Sequence, residues 1–186
     1  MKLFKKLAAA ALAAVMALAM VGCYSAPAGA TLNDTQATAL AALVNTDRET
    51  AKKKELNRSA EAEAILADYA KAMVDYLVDQ NDTTDAAGAA ASQEAMRKLS
   101  QLEIDGKKVD MNKSLMAVGF AKNGVAVTPE LVKSMAKNSK TKNNNGEFET
   151  VDTWTPMVNA DGSCLAVVWA EKSGATAVLV MNIVLK

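Results

Sequence analysis

Two stretches near the C-terminus, CLAVVWA (164–170) and ATAVLVMNIVL (175–185), are apolar at nearly every position. Each has the length of a strand. A strand with one wet face alternates apolar and polar residues. These two do not alternate, so they demand apolar cover on both sides of whatever sheet they form. The EKSG between them (171–174) is turn chemistry, which makes the pair antiparallel. A third strand is expected over 148–158, joined through the NADG turn at 159–162. The rest of the chain must therefore supply helices for both faces of an antiparallel sheet of about three strands.

The upstream half has the pattern to do so. A helix capped by Asn33 or Asp34 carries Ala37, Leu40, Leu43, Val44 and Ala51 on one face at helical spacing. Ser59 caps a second helix over 60–78, whose apolar face reads as Ala62, Ile65, Leu66, Tyr69, Met73, Tyr76 and Leu77. A third, over 86–102, buries Ala95, Met96, Leu99 and Leu102. Thr128, Pro129 and Glu130 spell a fourth helix start: cap, first helical residue and first-turn acid. Leu131, Val132 and Met135 then face inward. Asp105-Gly106 reads as a hairpin turn, 114–124 as a short strand or buried loop, and 139–147 as a polar loop. The expected class is α+β, an antiparallel sheet sandwiched between helices.

Not all of the chain belongs to that sandwich. Lys2, Lys5 and Lys6 precede an uninterrupted apolar and small run over 7–22, shorter than the roughly 20 residues of a membrane span. This is the layout of a secretory signal. Two processing readings follow. MVGC (20–23) resembles the bacterial lipoprotein box, with Cys23 as the lipid-bearing residue and Met20 where Leu is usual; this reading is favoured. The other cuts after Ala-Pro-Ala (26–28) or Ala-Gly-Ala (28–30) and discards Cys23 with the leader. The organisation is then a signal peptide over 1–22, a tether over 23–33 and a folded domain over 34–186. The address is extracytoplasmic, as a cell-surface lipoprotein or as a secreted soluble protein.

Removing the three leader lysines leaves 18 basic against 21 acidic residues, which argues against a nucleic-acid partner. Cys23 and Cys164 are the only cysteines, so the domain rests on its core rather than on disulfides. The chain contains no histidine. That removes Ser-His-acid and Cys-His catalysis and the usual zinc sites. No catalytic residue, metal site or cofactor is expected. Carboxylate chemistry remains open: two acids converging in one pocket about 5–9 Å apart would support a glycosidase-like hydrolase.

Asn45 and Arg48 lie three residues apart on the first helix, Leu56 follows, and the Ala-rich ILADYAKAM (65–73) comes next. NSKTK (138–142) stands behind TPELVKSM, and a terminal hairpin closes the chain over 164–185. In this order the chain, over about 38–185, resembles the CAP superfamily, the cysteine-rich secretory and SCP-like extracellular domains. The resemblance implies a CAP-like α-β-α sandwich in which Asn45 and Arg48 are structural. It also implies a cleft of two histidines and two acids, often linked to a divalent metal. Here the pattern is broken. Lys142 stands at the second histidine position, NDTTD (81–85) at the first, and KSLMAVG (113–119) lacks the glutamate. Asp82, Asp85 and Lys142 are what remains as cleft candidates. The expected protein is a degenerate, non-catalytic member that binds a lipid, peptide, glycan or protein at the bacterial cell surface, with its membrane contact made through the lipid on Cys23. The alternatives are a carboxylate-based hydrolase of cell-wall or peptide material and a purely structural envelope protein.

Other candidate residues have plainer readings. Asp68 and Asp75 share a helix face opposite the apolar one and read as solvated. NNNG (143–146) reads as a loop, Cys164 as a small buried hydrophobe, Trp169 as core, and Trp154 as core or cleft wall.

Overall fold

The computed structural model describes residues 29–78, 85–142 and 147–186; for 85–88 and 142 it describes the backbone alone. The leader, Cys23, Asp82 and the NNNG stretch lie outside the described residues. The elements run β1 (Thr31–Leu32), α1 (Asp34–Thr50), α2 (Ala60–Val78), α3 (Asp85–Gln101), β2 (Glu103–Ile104), β3 (Lys107–Lys108) and β4 (Leu115–Ala121). They continue α4 (Pro129–Lys137), β5 (Ser139–Lys142), β6 (Phe148–Val151), α5 (Trp154–Asn159), β7 (Cys164–Lys172) and β8 (Ala175–Ile183).

The fold is mixed α+β. The main sheet has four antiparallel strands in the order β1-β7-β8-β4. The apolar strands β7 and β8 occupy its centre, and all nine residues of β8 are buried. Alternation sends Ala166, Val168, Leu179, Met181 and Ile183 to one face, where Leu66, Ala70 and Val74 of α2 and Ala95 and Leu99 of α3 cover them. Leu165, Val167, Trp169, Val178 and Val180 face the other side, against Leu40 and Val44 of α1, Val132 of α4, and Trp154 and Met157 of α5. Each fully buried Val or Leu contributes about 1.5–3 kcal/mol. A face left wet would forfeit that term at four or five positions per strand, which is why the helices divide between the two sides.

Three expectations are corrected. First, 148–158 is not a strand of the main sheet: β7, which it was expected to flank, pairs with β1 instead, and β4 adds a strand beyond β8. Only Phe148–Val151 of that stretch is extended, and it pairs with β5 in a separate hairpin, Ser139 opposite Val151 and Lys142 opposite Phe148. The chain then turns into α5. Asp152 sits at this turn and favours it: its Oδ1 accepts from the backbone N–H of both Trp154 and Thr155 at 2.9 Å. Trp154, Met157 and Val158 then fall at helical spacing, and all three are buried. Second, residues before Asp34 join the main sheet. Thr31 and Leu32 pair with Glu171 and Ala170, and the Asn33 side chain caps α1 by accepting from Gln36 N. Third, the tight face of α2 is rotated from the expected one. Its buried residues are Ala62, Glu63, Leu66, Ala67, Ala70 and Val74, while Tyr76 is exposed. Alanines bring the helix axis close to the sheet, and the larger side chains are displaced to the flank.

The turn between β7 and β8 is tighter than EKSG. Lys172 pairs with Ala175, leaving Ser173 and Gly174 at φ +47° and +78°. Two consecutive positive φ values give the turn whose twist suits a two-residue hairpin. Asp105 and Gly106, at +53° and +72°, turn β2 into β3 in the same way.

Candidate functional site

The Asn45–Arg48 pair sits where α1 meets the return loop and the end of α5. Asn45 grips Leu56 at two points: its Nδ2 donates to Leu56 O and its Oδ1 accepts from Leu56 N, both at 3.0 Å. Arg48 is only 1% exposed. Its Nε donates to Lys54 O at 2.8 Å, and its Nη1 donates to Val158 O and Ala160 O at 2.7 and 2.9 Å. Arg48 is neither on the rim of its helix nor, among the described residues, paired with an acid. Asp161, the acid whose charge acts on Arg48, pairs with Lys53 instead, at 2.9 Å. Burial lowers the Arg48 pKa, and Asp161 opposes that from a distance. The guanidinium holds three carbonyls, two of them from the C-terminal turn of α5, whose orphan acceptors need donors.

Asn182 of β8 completes this junction from the sheet side. Its Nδ2 donates to Met157 O at 2.8 Å and Ala160 O at 3.2 Å. Its Oδ1 is packed against Gly162, where an added Cβ would stand 1.9 Å away. The glycine is therefore required by close approach and not by an unusual φ.

A second polar cluster lies at the outer edge of β7. Glu63 of α2 is 5% exposed. Its Oε1 accepts from Arg58 Nε at 2.6 Å and from Val167 N at 3.0 Å, and its Oε2 accepts from Arg58 Nη2 at 2.9 Å. Arg58 also reaches Thr38 Oγ1 at 2.7 Å and Asp34 Oδ1 at 2.8 Å. A fork-to-fork pair of this kind is among the stronger side-chain contacts. Burial pushes the Glu63 carboxyl above its ordinary value, against the opposing pull of Arg58 and the Val167 amide. Leu32, Ala37, Val168 and Trp169 line the depression beside it, whose free volume is about 30 Å³. That holds a water or two. Small-molecule sites run to about 300–1,000 Å³. Asp34 and Glu63 do converge, but Arg58 stands between them, and Glu63 accepts through both oxygens.

Neither Arg58 nor Glu63 stood out in the sequence. A signal existed: Glu63 lies four residues before Ala67 and seven before Ala70, on the stripe that packs against the sheet. Assigning the apolar face to the larger side chains hid it.

The remaining candidates scatter. Asp85 opens α3 and Lys142 ends β5; their side chains are not described, and Asp82 lies outside the described residues. Asp68 is exposed. Asp75 is not simply solvated but pairs with Lys172 at 2.6 Å. Cys164 is a buried free thiol whose pKa burial pushes up to about 11. Trp154 is core: it is 1% exposed, and its Nε1 donates to Asp47 Oδ2 at 2.8 Å, with Lys133 on the same carboxylate. Trp169 is equally buried and donates from Nε1 to Glu171. Among the described residues no three His, Cys, Asp or Glu side chains gather as metal ligands. Compared with protein-family models, curated proteins and solved structures, the chain matches none.

Proposed function

We propose that the chain is an exported, lipid-anchored, non-catalytic CAP-like domain that binds a partner (lipid, peptide, glycan or protein) at the bacterial cell surface. One observation carries the reading: the two buried polar clusters among the described residues are spent on holding the fold. Asn45 and Arg48 saturate backbone groups, Glu63 and Asp34 close on Arg58, and no histidine exists to replace them. The helix carrying Asn-x-x-Arg, the clasped Leu56 loop and the helices on both faces of an antiparallel sheet support the CAP-like assignment. No described helix is long and apolar enough to cross a membrane. The proposed membrane contact is the lipid on Cys23, on the strength of the MVGC box alone. A single acyl chain anchors only marginally, so stable tethering needs the full multi-chain modification.

The test is to express the full chain in a bacterial host with radioactive palmitate. The expected product is labelled and partitions into detergent, and Cys23→Ser abolishes both. A soluble product beginning at Gly29 or Thr31 would overturn the anchor. Purified protein that cleaves cell-wall glycan or peptide, and loses that activity in a folded Glu63→Gln variant, would replace binding by the carboxylate-hydrolase reading.

A further inference from the structure

The free edge of the main sheet is β4. Hydrogen-bond parity can be followed from the opposite edge. Leu165 N donates to Asn57 O and Leu165 O accepts from Ser59 N, so Leu165 points away from β8. The residues of β8 opposite such outward positions, Asn182, Val180, Val178 and Thr176, then direct their backbone groups to β4, where they meet Leu115, Ala117, Gly119 and Ala121. The N–H and C=O groups of Met116, Val118 and Phe120 are left facing outward. No turn, loop or cap hydrogen bond among the described residues reaches them.

Natural proteins blunt such edges with charge, proline or bulges. β4 has none within its seven residues. It is flanked instead by Lys113 and Lys122, both exposed and neither ion-paired among the described residues. No Asp or Glu occurs between Asp110 and Glu130. Phe120 is 58% exposed on the edge and Leu115 37%. The edge is an apolar template with a positive charge at each end.

We propose that β4 takes up an extended peptide segment of a partner protein, carrying apolar residues at alternate positions and carboxylates at both ends. The segment adds a fifth strand: its backbone pairs with Met116, Val118 and Phe120, its side chains cover Phe120, and its terminal acids meet Lys113 and Lys122. A second copy of this chain fits worse. Antiparallel β4–β4 pairing in either central register sets Lys122 of each copy beside Lys113 of the other. This inference rests on the binding reading above and specifies its partner.

The probe is a fluorescent peptide, EEVTVTVEE, titrated against the purified chain by anisotropy. Saturable binding is expected, weakening as salt rises. The same peptide N-methylated at its valines should not bind, which tests backbone pairing without altering the protein. KKVTVTVKK should not bind the natural chain but should bind K113E/K122E, which in turn should hold EEVTVTVEE about three- to tenfold more weakly. Val118→Pro removes one outward N–H and should abolish binding with the melting transition retained. No binding of EEVTVTVEE, equal binding of the N-methylated peptide, or indifference to the charge swap would overturn the proposal. So would a concentration-dependent dimer, seen by sedimentation and lost in Val118→Pro. Failure here with palmitate labelling intact removes only the β4 site; failure of the labelling leaves the peptide result standing.

Discussion

Arg48 gains its importance from what surrounds it rather than from its type. A buried guanidinium that satisfies three carbonyls cannot be replaced by a smaller group without leaving acceptors unmet. Arg48→Ala is expected to cost about 2–4 kcal/mol, several degrees in melting temperature for a domain of this size. Arg48→Lys should recover little, because one ammonium cannot reproduce the fork. Calorimetry checks both; an Arg48→Ala melt within a degree of the natural chain would show that water replaces the fork without loss. Glu63 makes a pH prediction. Its carboxyl titrates above the ordinary value because burial penalises the charge, so the native state holds the proton more readily than the unfolded chain. The stability it contributes is complete below the ordinary Glu value and is lost as pH rises through the raised one. Compared with Glu63→Gln, the natural chain should therefore lose relative stability on raising the pH from the ordinary Glu range upward. A difference in melting temperature that does not change with pH would show that the Arg58 fork cancels the burial cost.

Helices α1, α2 and α4 are legible in the sequence because caps and periodicity agree there, and α3 by periodicity alone. Asn33, Ser59 and Thr128 each accept a hydrogen bond from the first turn they precede. The stretch 148–158 is misread because its first residues do suit a strand and the change of period at Asp152 is local. Asp152→Ala is expected to cost about 1 kcal/mol by uncapping α5. Its carboxyl is held below the usual range chiefly by the Thr155 amide and hydroxyl. That contribution is present above the ordinary Asp value and disappears as pH falls through the lowered one. The gap between the natural chain and Asp152→Ala should thus close in acid, read from melting curves or from hydrogen exchange at Thr155. A gap unchanged in acid would assign the bend to packing of Trp154 alone.

Across the whole molecule, stability comes from two apolar layers pressed on one sheet, without disulfides among the described residues. Function is expected to be independent of metal. Zinc wants imidazole, thiolate or carboxylate donors, and this chain offers no imidazole and one buried thiol besides Cys23. Zinc or calcium at tens of micromolar should leave the melting temperature unchanged. The assay is sensitive, since a ligand at 100 times its dissociation constant would add about 2.7 kcal/mol. A metal-dependent rise lost in Asp82→Ala/Asp85→Ala would place a carboxylate site in the NDTTD loop.

The two continuous apolar strands sufficed to require a sheet covered on both sides, because no strand can leave such residues wet without losing their burial energy. Capping residues placed the helices for a similarly local reason, since a cap and its partner lie within three residues. Other features depended on partners far along the chain. Arg48 is a buried strut because Val158 and Ala160, more than a hundred residues away, bring carbonyls to it. Glu63 became a partner of β7 only once the small alanines of α2 let that helix settle against the sheet. Whether 114–124 was strand or loop depended on β8 offering it an edge, and whether 139–142 was loop or strand depended on Phe148–Val151 returning beside it. Long-range hydrogen bonds and the rotation of a helix about its own axis are properties of packing, and periodicity carries neither.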